Sequence, residues 1–154
     1  MTRRQKICSL LIGYLQNISV ANGYLTAMGS DISHWATQIV PRDKASQMWG
    51  NLKDETNEHE TGHTETLAIT VELGCKTATN YTTISDMTQD VQKCFEDNLA
   101  SLCNSMNDDV MRWLPVSETI DVMRESDAEF GTGKVVMNLV HKVDEKWRLD
   151  ETVY

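Results

Sequence analysis

His59-Glu60-Thr61-Gly62-His63 spells H-E-x-x-H, the stretch of this chain whose residue types and spacing come nearest to a hydrolytic centre. The motif works when a helix sets both histidines on one face to hold zinc, leaving the glutamate as general base for the metal-bound water. The flanking residues oppose such a helix. Gly62 falls between the two ligands, Thr61 and Thr64 lower helix propensity, and Glu58 and Glu65 are charged where the helix is normally buried. A period-two pattern begins directly afterwards. A third ligand could come from Glu65, His34 or His141, with nothing to select among them. The motif is therefore read as part of a solvated segment, with incidental metal capture by the two histidines as an intermediate case.

Other chemical motifs are weaker. Gly131-Thr132-Gly133-Lys134 resembles the end of a phosphate-binding loop, but Ala128 stands where a glycine is needed and Val135 where Ser or Thr should follow the lysine. No G-x-S-x-G elbow exposes a nucleophilic serine. The expectation is a chain that is not an enzyme, with no catalytic residue, no cofactor and no resident metal.

The elements that would carry these residues follow from hydrophobic spacing. Ile7, Leu10, Leu11, Tyr14, Leu15 and Ile18 predict an amphipathic helix over about residues 3–18, ending near Asn22-Gly23. Arg3, Arg4 and Lys6 ahead of that run, and Ser19-Val20-Ala21 behind it, imitate a secretory signal. The amphipathic stripe, with Gly13 and Tyr14 interrupting the apolar run, favours a packed helix instead. A strand or hairpin is expected within 23–36, and another short strand at Gln38-Ile39-Val40-Pro41. The polar stretch 42–65, with Asp54, Glu55, Glu58, Glu60 and Glu65, reads as a long loop or hairpin tip.

The second half is more regular. Leu67, Ile69, Val71 and Leu73 alternate as a strand closed by Gly74. Ile84, Met87, Val91, Cys94, Phe95, Leu99 and Leu102 form the stripe of a long helix, with Thr83 as its N-cap. After a turn at Asn107-Asp108-Asp109, Trp113 and Leu114 are expected to approach the core. Strands over about 116–125 and 134–143 follow, joined by a wide loop at 126–133. The fold class read from this order is α+β, a mainly antiparallel sheet packed against two amphipathic helices. Residues 1–143 form a single domain and 144–154 an extended C-terminal tail.

Composition narrows the function. A net charge of −9 opposes a tight nucleic-acid clamp, because duplex affinity comes from Lys and Arg neutralising phosphates. No segment approaches the ~18 apolar residues of a membrane span. Cys8, Cys75, Cys94 and Cys103 include no C-x-x-C pair, which favours a reducing compartment. The sequons at Asn17 and Asn80 read as coincidental. Met87, Met106, Met111, Met123 and Met137 read as fillers of core or interface gaps.

The element order resembles the tail terminator proteins of long-tailed bacteriophages over about residues 3–143. The segments that carry the likeness are Ile39-Val40-Pro41, the acidic stretch leading into Thr66-Leu67-Ala68-Ile69-Thr70-Val71-Glu72-Leu73, the helix around Ile84-Ser85-Asp86-Met87, and Gly133-Lys134-Val135-Val136-Met137-Asn138-Leu139-Val140. His141-Lys142 stands where that family often ends in an aromatic–basic pair, and residues 144–154 extend beyond it.

The resemblance implies a structural virion protein of the tail or neck, assembled in the host cytoplasm. It implies a homo-oligomer, a hexameric ring that ends tail-tube polymerisation and contacts both the tail tube protein and the head–tail connector, with DNA passing through the lumen unbound and no membrane involved. Candidate interface residues are Asp54, Glu55, Glu58 and Glu60, with Trp147 and Tyr154 in the tail. The alternatives are another connector or tail-completion subunit, or a zinc-dependent hydrolase using His59-Glu60-Thr61-Gly62-His63.

Overall fold

A computed structural model describes residues 2–34, 48–60, 64–75, 80–106, 110–125 and 128–142. Helix α1 (Arg3–Gln16) starts on a reciprocal cap. Thr2 Oγ1 accepts the Gln5 N–H at 3.1 Å, and Gln5 Oε1 accepts the Thr2 N–H at 2.8 Å, so two otherwise unpaired donors are satisfied. Ile7, Cys8, Leu11, Leu15 and then Ile18 are buried. The run that imitates a signal segment is thus the packed face of a helix.

Of the strand or hairpin expected within 23–36, the chain forms a brief strand, preceded by two short 3-10 turns. The first turn, Val20–Asn22, closes on Gly23 at φ 90°, a conformation that favours glycine. The second, Met28–Ser30, places Gly29 against the carbonyl oxygens of Leu15, Gln16 and Ile18, where a Cβ would have no room. Strand β1 (Ile32–His34) follows, and the short strand expected at 38–41 lies outside the described residues.

The acidic stretch 42–65, read as a long loop or hairpin tip, is strand over 48–60 and 64–65, the two strands pairing antiparallel. β2 (Met48–Glu60) pairs parallel with β1 on one side and antiparallel with β3 (Thr64–Cys75) on the other. Backbone pairing with β3 along its length, with a register shift at Thr56/Glu58, and with β1 at Gly50, Asn51 and Leu52 holds a segment whose acidic half is too polar to drive its own burial. β3 runs past Gly74 to Cys75.

Helix α2 spans Asn80–Ser105, so it begins before the expected cap and Thr83 lies inside it. Thr83 is half-buried there. Ile84, Met87, Val91, Cys94, Phe95 and Leu102 are buried as the helical spacing predicts, and Leu99 is half-buried.

β4 (Val110–Glu125) and β5 (Ala128–Lys142) are longer than expected. Glu125 pairs with Ala128, so a two-residue connection replaces the wide loop, and Val110–Pro115 is itself strand. Pro115 is accommodated because β4 is an edge strand among the described residues and its register shifts between Pro115 and Ser117. The side chains of Trp113 and Leu114 lie outside the described residues.

The sheet order is β1-β2-β3-β5-β4, antiparallel except for the β1–β2 pair. This is the α+β class read from the sequence. Registered neighbours share a face, so Leu67 with Leu139, Ile69 with Met137 and Val71 with Val135 form one apolar surface under α2. Helix α1 packs beside α2 and over β1 and β2.

Candidate functional site

Polar chemistry collects where α1 crosses the β1–β2 edge. The register places Met48, Gly50, Leu52 and Asp54 on the helix-covered face of β2, in line with Ile32 and His34 of β1. Asp54 therefore presents a carboxylate on a face where Met48, Leu52 and Ile32 present apolar groups. The face is satisfied from above and beside it. Arg4 of α1 donates through Nε to Asp54 Oδ2 and through Nη2 to the Asp54 carbonyl at 3.0 Å, while His34 Nε2 meets Asp54 Oδ1 at 2.7 Å.

Cys8, one turn along α1 from Arg4, completes the cluster. One ligand atom from each of Cys8, His34 and Asp54 lies within 4.8 Å of the others. Cys8 is buried and the other two are half-buried. They line a cleft of about 800 Å³ together with Arg4, Gln5, Ser33 and the Ile12–Gly13 turn of α1.

The electrostatics of the cluster follow from these contacts. Burial acts to raise the Asp54 carboxyl, but hydrogen bonds from Arg4 and His34 outweigh it and hold the group below the usual carboxylate range. Burial, reinforced by the Asp54 charge and by a hydrogen bond to that carboxylate, pushes the Cys8 thiol up to about 12. Such a thiol is not an activated nucleophile, because a carboxylate and not a basic imidazole is its hydrogen-bond partner. The donor set, one sulfur, one imidazole nitrogen and one carboxylate oxygen, is instead suited to a borderline-soft cation.

A second polar knot is structural. Asp90 of α2 is 1% exposed and accepts from the Leu25 N–H at 2.9 Å, the Thr26 N–H at 2.8 Å and the Thr26 hydroxyl at 2.6 Å. It ties the turn region after α1 to the second helix. On the opposite face of the sheet, buried Asn51 donates through Nδ2 to Ser33 Oγ at 2.9 Å, joining β1 to β2.

The residues singled out in the sequence are dispersed. Asp54 is the acid at the centre of the cluster, with a side chain only 11% exposed, so it is not the open loop acid that was expected. Glu55 is exposed and pairs with Lys53 at 3.0 Å. Glu58 and Glu60 lie on the far stretch of β2, their backbones paired with Thr66 and Thr64, and their side chains are outside the described residues. Trp147 and Tyr154 are also outside them.

His59 and Glu60 belong to a strand paired with Glu65 and Thr64, so the helical spacing that a zinc-peptidase motif requires is not met. His63 is outside the described residues. Gly131-Thr132-Gly133-Lys134 is internal to β5, with β3 on one side and β4 on the other, which leaves no loop to cradle a phosphate.

Cys8 and Arg4 carry no sequence signal that marks them as site residues, and His34 enters only as one of three possible third ligands beside His59 and His63. Arg4 and Cys8 are one helical turn apart, but no local spacing links that pair to His34 and Asp54; only their convergence in the fold does. No described helix is long and apolar enough to cross a membrane. No protein-family model matches the chain, and no curated protein matches it.

Proposed function

We propose that the chain is a structural subunit that assembles into a closed ring, acting as a tail terminator in a long-tailed bacteriophage. The observation that carries this reading is the long edge strand β4, Val110–Glu125, which pairs with β5 on one side and with no other strand among the described residues on its second side. An edge of that length is a template for further pairing unless something covers it. A ring of identical copies covers such edges by repeating one heterologous contact around an axis until it closes.

The element order that resembles the terminator family supports the more specific assignment. In that role the ring would end tail-tube growth on one face and meet the head connector on the other. The net charge of −9 suits a lumen through which DNA must pass without adhering.

Native mass measurement and sedimentation of the full chain, alone and mixed with tube and connector proteins, test the reading. A closed oligomer, expected to be a hexamer, that binds the tube end supports it. A strictly monomeric species that ignores both partners overturns it. A ring that binds only the connector would move the protein to the head-closure side of the junction.

A further inference from the structure

We propose that Cys8, His34 and Asp54 form a binding site for one zinc-class divalent cation, which fastens α1 to the β1–β2 edge of the sheet. Three donors of different elements converge with their ligand atoms within 4.8 Å of one another, close enough for a single ion to replace the present contacts with modest rotations. Thiolate, imidazole and carboxylate are the three ligand types that zinc accepts, and a fourth, open position would face the cleft. That cleft supplies the entry path.

The surroundings resemble a supported site. Arg4 engages Asp54 Oδ2 and the Asp54 carbonyl, which fixes the carboxylate while Oδ1 is turned toward His34. Binding would exchange the Cys8 thiol proton for the metal, with that proton released to solvent, while the His34 ring coordinates as a neutral imidazole that keeps its one N–H on the other nitrogen. No redox step is involved. The three ligands come from three different elements, and β1 is only three residues long, so a bound ion would cross-link parts of the fold that are otherwise joined by few contacts.

Cobalt(II) titration of the full, reduced chain under anaerobic conditions reads the site directly. The expected result is one cobalt per chain, a thiolate-to-cobalt charge-transfer absorption, displacement by zinc, and a higher melting temperature that chelator reverses. Cys8→Ser should abolish the absorption, whereas Cys103→Ser should keep it. His34→Gln should weaken affinity at least about tenfold, the scale on which ligand-shell changes act, and carries the test if Cys8→Ser does not fold. The double variant His59→Ala/His63→Ala should bind cobalt as the parent does. Absence of the thiolate absorption in the parent, its survival in Cys8→Ser, or unchanged affinity in His34→Gln overturns the assignment.

Discussion

The indole of Trp49 fills the space in which a side chain at Gly74 would stand, directly across the β2–β3 pair. The glycine leaves a gap on the sheet surface and the aromatic ring closes it, so a position that would weaken the strand becomes a packing site. Trp49 is 5% exposed as a result.

Gly74→Ala should therefore force the indole to move and cost on the order of 1–3 kcal/mol, the usual penalty for adding a methyl to a filled site. Gly13→Ala makes the contrast. A Cβ at Gly13 meets nothing, and alanine favours the interior of α1 by about 1 kcal/mol over glycine. Urea unfolding midpoints should move in opposite directions, and equal shifts would show that the indole does not occupy that space.

The phase of α2 is tested by neighbours in sequence. Phe95 is 1% exposed, and Phe95→Ala should cost about 3–5 kcal/mol, a large share of a small domain's stability. Glu96 is exposed, and Glu96→Ala should change stability by less than about 0.5 kcal/mol. Similar losses in both variants would mean that the apolar stripe faces elsewhere.

Much of this core was legible because local pattern and tertiary burial agree. Leu67, Ile69, Val71 and Leu73 alternate in sequence and are all fully buried, and the α2 stripe meets them. β2 was not legible because it is held from outside. Its polar Asn51 is buried with Ser33 accepting its amide proton, and Asp54 is held on the helix-covered face by Arg4, fifty residues earlier, together with His34. A short pattern window contains neither partner. The same distance hid the Cys8, His34 and Asp54 cluster, while the adjacent letters of His59-Glu60-Thr61-Gly62-His63 drew attention to a strand end.

Asp90 provides a test of long-range polar tethering. Asp90→Ala removes the acceptor of three hydrogen bonds and strands the Leu25 and Thr26 amides, so a loss of roughly 2–4 kcal/mol is expected. Amide hydrogen exchange should accelerate at Leu25 and Thr26 well before it does at Val91. Unchanged protection of those two amides would show that other contacts hold the 24–30 segment.

Alkaline pH should destabilise the metal-free protein through its buried thiols. Burial pushes Cys94 up to about 11, against the lowering effect of hydrogen bonds from Tyr24 and Asn98, and Cys8 up to about 12, each from an ordinary 9.0. Both pKa values are raised on folding, so the stabilising effect is complete below pH 9 and declines as pH rises toward the folded values. In that window the unfolded chain releases protons that the native chain retains. Each thiol should remove on the order of 1 kcal/mol between pH 9 and 10, and Cys94→Ala should make the decline measurably shallower. Denaturant midpoints in the presence of chelator, collected from pH 8 to 11, give the comparison. Parallel profiles for the parent and Cys94→Ala would mean that this thiol ionises as readily in the folded chain as in the unfolded one.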